Sequence, residues 1–171
     1  MGYVHEGEMS QWLPPGNAHY VTGTWSDAAG QVTGTIVKKK AATDETATLT
    51  IPIEIPSCAK GYKGCYLKTI DVYFEVLTAA CDALAATISK VTLPADGAAI
   101  GTLDTVAFSY DTGHDAAAER IDVDQHTMTL TLTTPEWLDD GEVIQVALSI
   151  NAAATTVFDY IGARANFELR L

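Results

Sequence analysis

Asp111-Thr112-Gly113, followed by His114 and Asp115, is the segment whose residue types come closest to a catalytic centre. An Asp in such a turn can share a proton with a second carboxylate and activate water, provided that a partner Asp arrives from another copy of the chain. Asp-Thr-Gly is also ordinary turn chemistry, because Asp bonds backbone two residues on and Gly relaxes the turn. Asp122, Asp124 and His126 alternate, so on a strand they would share one face and offer ligands to a hard cation such as calcium. They lack the Gly and the distal Glu of an EF-hand loop, and Asp139-Asp140-Gly141-Glu142 reads first as a turn. His5-Glu6 opens like a zinc-protease helix, but Met9 stands where the second His belongs. A nucleophile elbow, a phosphate-binding loop and a Cys in an activating setting are all missing from the sequence. The chain therefore reads as non-enzymatic, with no cofactor and no metal.

Aromatic residues offer a different chemistry. Trp12, Trp25 and Trp137 can stack on sugar rings as in a carbohydrate-binding module, or can serve as core and interface anchors. Trp12 belongs to residues 1–16, which end in Leu13-Pro14-Pro15-Gly16 and show neither helical nor strand period. This stretch reads as an extended N-terminal arm. Tyr3, Val4, Met9, Trp12 and Leu13 make it too apolar for a free tail, so it is expected to pin against its own domain or a neighbouring subunit, with those five residues as the contact.

The elements that would position these residues are strands. Ala18–Trp25 and Gln31–Val37 flank Ser26-Asp27-Ala28-Ala29-Gly30 as a hairpin, and Thr46–Ile55 alternates threonines with Ala47, Leu49, Ile51, Ile53 and Ile55. Pro52 within that run and Pro56 just after it suggest an edge or a strand end. Lys68–Leu77 is the clearest strand, with Ile70, Val72, Phe74 and Val76 on a core face and Thr69, Asp71, Tyr73 and Glu75 on a wet one. Ala85–Leu93, Thr102–Tyr110, Met128–Leu132, Val143–Ile150 and Thr156–Leu171 complete the set. A loop with one helical turn near Ala116–Glu119 and a connection over Pro135–Gly141 join them. About eight strands without any convincing 3.6 period predict an all-β fold, a two-sheet antiparallel sandwich of jelly-roll type, with residues 17–171 as its single domain.

Composition narrows the partners. The net charge of −12 divides into −3 for residues 1–85 and −9 for 86–171, which disfavours any phosphate-backbone partner. Lys38-Lys39-Lys40 is the one basic run and reads as a solvated strand edge that discourages sheet stacking. The first thirty residues carry no signal-peptide pattern, no eighteen apolar residues run together, and no Asn begins a glycosylation triplet, so a soluble protein made in the cytosol with no membrane partner is expected. Of Cys58, Cys65 and Cys81 at least one must stay unpaired, and the loop between Cys58 and Cys65 could close a bridge under oxidising conditions.

Leu67-Lys68-Thr69-Ile70-Asp71-Val72, Lys90-Val91-Thr92-Leu93-Pro94-Ala95-Asp96-Gly97, Tyr110-Asp111-Thr112-Gly113-His114-Asp115, Met128-Thr129-Leu130-Thr131-Leu132 and Gly162-Ala163-Arg164-Ala165-Asn166-Phe167 make residues 46–171 resemble bacteriophage and viral β-sandwich virion proteins. That resemblance implies a structural subunit, of capsid-decoration, cement or fibre-base type. It also implies a homotrimer, partnered by the major capsid protein and located in the virion after assembly in the host cytoplasm. Asp-Thr-Gly-x-Asp resembles retroviral-type aspartic proteases as well, with Tyr160-Ile161-Gly162 echoing their second motif, but Ser109-Tyr110 replace the apolar pair that precedes the Asp there. The sequence thus ranks a virion subunit first, a carbohydrate-binding module second and a protease third.

Overall fold

A computed structural model describes residues 6–29, 36–40, 44–54, 65–92, 102–138 and 142–170, and these form two antiparallel sheets. The strands are β1 (Glu6–Leu13), β2 (His19–Thr22), β3 (Trp25–Ala29), β4 (Ile36–Lys40), β5 (Glu45–Ile53), β6 (Cys65–Leu77), β7 (Cys81–Thr92), β8 (Thr102–Thr105), β9 (Phe108–Tyr110), β10 (Gln125–Leu138), β11 (Glu142–Ala152) and β12 (Val157–Arg170). Sheet A runs β3-β4-β12-β6-β10-β9, with β1 also paired to β12, and sheet B runs β2-β5-β11-β7-β8. The all-β sandwich read from the sequence is the fold observed. Its strands are more numerous than expected because two runs switch sheets partway and residues 6–13 add a strand of their own.

Alternation builds the core. Leu49, Ile51 and Ile53 of β5 and Ile70, Val72, Phe74 and Val76 of β6 meet in one core from opposite sheets, all fully buried. Pro52 pairs with Gln145 on one side, while β2 reaches β5 only at Thr48–Thr50, so this proline lies where β5 is locally an edge. Phe74 stacks on Phe158 at 5.1 Å and on the His126 ring at 4.6 Å.

Several sequence expectations are corrected. Residues 6–13 pin against their own domain, one of the two expected settings, but as a regular strand rather than an irregular arm: they pair with Ala163–Arg170 along their whole length as β1. Glu8, Ser10 and Trp12 fall on one face and Met9, Gln11 and Leu13 on the other, so Gln11 at an inward position disguises the strand period. Ser26–Ala29 is strand β3 rather than a turn, and Ala18–Trp25 is broken at Gly23, whose φ of +89° lets the chain cross from sheet B to sheet A. Thr102–Tyr110 likewise divides into β8 and β9, one per sheet. Lys38–Lys40 lie in an inner strand between β3 and β12, not at an edge. The expected connection over Pro135–Gly141 begins later: Pro135 belongs to a four-residue irregularity within β10, and Glu136–Leu138 resume its pairing with β6. The expected helical turn is a 3-10 turn at Ala118–Arg120. The second face of β6 is not simply wet, since Asp71 and Glu75 are buried within a central strand.

Candidate functional site: the outer face of sheet A

The outer face of sheet A carries an ordered polar and aromatic surface, built row by row across β1, β12, β6 and β10. Trp12, Arg164, Asp71 and Thr129 stand opposite one another in successive strands, as do Ser10, Asn166, Thr69 and Thr131 in the next row. Asp71 is the hub. Its Oδ2 accepts from Arg164 Nε at 3.1 Å, Arg164 Nη2 at 2.9 Å and Asn166 Nδ2 at 3.1 Å, and its Oδ1 accepts from Thr129 Oγ1 at 2.8 Å. Asn166 Nδ2 also donates to Thr69 Oγ1 at 2.9 Å, and Ser10 Oγ donates to Asn166 Oδ1 at 2.7 Å. Hydrogen bonding to Asp71, and then the neighbouring Tyr73, raises the Arg164 pKa above its usual value. Each member fixes the rotamer of the next, so the row is organised before any ligand arrives.

Trp12 caps this network. Its side chain is 51% exposed, with its ring 5.6 Å from that of Tyr73. The indole sits directly on Gly162: a Cβ there would fall 2.6 Å from Trp12 Cη2 and Cζ2 and 2.9 Å from the Leu13 carbonyl oxygen. Gly162 also has φ +145°, at the irregularity between Tyr160 and Gly162 in the β12–β6 register, so both conformation and space demand glycine. A second aromatic pair, Tyr66 and Trp137 with centroids 4.9 Å apart, stands at the other end of the same face. Tyr73 and Tyr66 are seven residues apart on β6, about 23 Å at strand rise.

The five residues expected to form an arm contact are thereby separated. Trp12 faces outward, Leu13 is buried in the core, Met9 packs against it, and Tyr3 and Val4 lie outside the described residues. Of the other tryptophans, Trp25 is an anchor between the sheets, 4.8 Å from the Tyr20 ring, with Nε1 donating to the Thr22 carbonyl at 2.8 Å. Trp137 joins Trp12 on the sheet A face. Sequence reasoning missed Asp71, Tyr73, Arg164, Asn166 and Gly162; the alternation of β6 placed the first two on a common face, while nothing local links them to β12.

Asp111 is structural. Its carboxylate accepts from Gly113 N at 3.0 Å and Thr129 N at 2.6 Å, and its two oxygens lie 2.8 and 3.1 Å from His114 Nδ1. Burial pushes its pKa up, but the Thr129 and Gly113 amides and His114 outweigh that and hold it below the usual Asp value. These contacts tie the carboxylate to its own turn and to β10. Tyr160 and Gly162, the supposed second motif, belong to β12, with β6 and β10 between them and β9. The contacts continue from His114 Nε2 to His126 Nδ1 at 3.2 Å and from His126 Nε2 to the Asp122 carbonyl at 3.0 Å. Both ends of this chain are acceptors, so its three hydrogen bonds need three N–H protons, one more than two neutral imidazoles carry.

Asp122, Asp124 and His126 do not share a face. Asp122 and Asp124 lie in the turn before β10, whereas His126 is buried against Phe74. Among the described residues no group of three His, Cys, Asp or Glu is placed to hold a metal ion. Residues 139–141 and Cys58, with its possible bridge to Cys65, lie outside the described residues; Cys65 and Cys81 are buried. Among the described residues no helix is long and apolar enough to cross a membrane.

No protein-family profile and no curated protein sequence matches the chain. It is similar to part of an arabinose-bound MgGH51 α-L-arabinofuranosidase at 10% identity and TM-score 0.42, covering 92% of this chain and 24% of that one. It is similar also to TmCBM61 in complex with β-1,4-galactotriose, at 9% identity and TM-score 0.40 over 92% of this chain and 86% of that one. A third is the family 11 carbohydrate-binding module of Clostridium thermocellum in complex with a β-1,3-1,4-mixed-linked tetrasaccharide, at 9% identity and TM-score 0.37, covering 96% and 89%. The chain spans about a quarter of the arabinofuranosidase, and overlaps at these TM-scores carry no argument about what this chain does.

Proposed function

We propose that this chain is a non-catalytic carbohydrate-binding module that lays an oligosaccharide across the outer face of sheet A. The observation that carries the reading is Trp12, held half-exposed over Gly162 and against Tyr73 beside the cross-bonded Asp71–Arg164–Asn166 row. A sugar ring presents an apolar face with hydroxyls at its edge, and a rigid aromatic plate next to fixed donors and acceptors matches both. Tyr66 and Trp137 supply a second stacking surface, so several rings bind better than one. The Arg164 charge is matched by Asp71, which suits a neutral glycan more than an acidic one.

The test is titration calorimetry of the whole protein against hits from a glycan array, with Trp12→Ala in parallel. Binding that falls at least tenfold in the variant, with an unchanged melting temperature, is the expected result. A protein that retains no glycan at millimolar concentration, or a Trp12→Ala variant that binds as well as the parent, would sink the reading. The virion-subunit reading rests on strand and turn patterns and predicts instead a stable trimer that occupies capsids.

A further inference from the structure

Sheet B shows an outer face of the opposite character. Its register places Thr50, Ala147 and Thr87 in one row across β5, β11 and β7, and Thr48, Ser149 and Ala85 in the next. From Thr46 to Pro52 on β5, Val143 to Asn151 on β11 and Ala83 to Val91 on β7, no outward position is Asp, Glu, Lys or Arg. The edge strand β8 continues this pattern, with Thr105 beside Ser89 and Leu103 beside Val91, while at the other edge β2 sets His19, neutral at pH 7, beside Thr50. Val143, Val91 and Leu103 thereby form an apolar row, in which Leu103 is 69% exposed. Sheet A by contrast turns Glu8, Lys68, Asp71, Arg164 and Glu168 outward.

A large uncharged face on a chain of net charge −12 is selective for what can cover it. We infer that the outer face of sheet B is a self-association surface, on which a second copy of this chain packs face to face about a two-fold axis. Approach through most other surfaces sets carboxylates against carboxylates, whereas this face meets its own copy with no charge to desolvate. Its small side chains allow the close, flat, aligned packing of sheet on sheet. Seven to nine residues on each of the three central strands and about four on each edge strand, at about 3.3 Å rise and 4.8 Å spacing, give about 500 Å² per copy, or about 1,000 Å² in total, the lower bound of a specific interface. The pairing is isologous, so the apolar row of one copy serves the other in return. It leaves the outer face of sheet A free on both copies, pointing away from the contact, and makes the pair bivalent for a repeating ligand.

Ser149 stands exposed on the central strand β11, so charges placed there face each other near the axis. Sedimentation equilibrium of the 18.2 kDa chain is expected to give twice that mass at micromolar concentration. Ser149→Lys and Ser149→Glu, each folded by circular dichroism, are expected to be monomers alone and to return to the dimer mass when mixed in equal amounts. Thr127→Lys, exposed on the other sheet, leaves the wild-type mass unchanged. A wild-type monomer at every concentration overturns the inference, as does a trimer, or a dimer that both Ser149 variants preserve.

Discussion

Replacing Gly162 by Ala separates a built binding face from an accidental cluster of polar residues. The added Cβ would sit 2.6 Å from two Trp12 ring carbons, and ordinary carbon contact is about 3.5–4.0 Å, so the indole must lift by roughly 1 Å. The ring can move, but the Leu13 carbonyl at 2.9 Å is backbone of β1, and relieving it loosens the β1–β12 ladder. A φ of +145° adds about 1–3 kcal/mol of strain for any side chain. For a chain of this length that strain corresponds to a fall of about 2–12 °C in melting temperature. Trp12 leaves its position against Tyr73 at the same time, so glycan affinity should drop about as far as in Trp12→Ala, by tenfold or more. Calorimetric melting with parallel glycan titration reads both quantities on one sample. A Gly162→Ala protein that melts like the parent and binds the same glycan equally well would refute the reasoning, because it would show that Trp12 does not depend on the glycine beneath it.

Asp71→Ala removes the hub on which Arg164, Asn166 and Thr129 converge and is expected to weaken glycan binding at least tenfold, measured by calorimetry. Phe74→Ala, at a fully buried position between Phe158 and His126, should cost about 3–5 kcal/mol in chemical denaturation. The depressed Asp111 pKa contributes stability that is present above the ordinary Asp value of 3.8 and is lost as pH falls through the lower folded value. Asp111→Asn should therefore be less stable than the parent at pH 6, with the gap narrowing as denaturation is repeated down to pH 3.

The parts of the fold legible in the sequence are those where alternation is uninterrupted and both strand neighbours agree with it. Ile70, Val72, Phe74 and Val76, and equally Leu49, Ile51 and Ile53, announce an inward face by spacing alone. What is not legible is the partner. The β2–β3 and β8–β9 runs keep strand composition while their chain moves from one sheet to the other, at Gly23 and at Val106–Ala107, and no local residue states which sheet receives them. β1 hides for a different reason: Gln11 occupies an inward position, with Oε1 buried and without a hydrogen-bond partner, so the period of Met9 and Leu13 looks accidental. The candidate site was half visible. Trp12 stands out in the sequence as an aromatic in an apolar N-terminal stretch, but its setting depends on Arg164 and Gly162, about 150 residues away in sequence and adjacent only through the β1–β12 register.

The two outer faces follow from the same alternation and differ in what they can bury. Covering sheet A with protein would desolvate Glu8, Glu168 and the exposed Arg164 along with the Asp71 network, and each charge left without a matched partner costs several kcal/mol. A glycan avoids that cost because its hydroxyls and the water beside them replace the solvent one group at a time. Sheet B presents threonine, serine, alanine and valine, whose hydroxyls can satisfy one another across a contact and whose methyl groups gain from leaving water. Charge, more than strand geometry, divides the labour between the faces. On this reasoning a charge placed on sheet B at Ser149 is expected to abolish the proposed pairing while leaving the proposed glycan binding of sheet A unchanged.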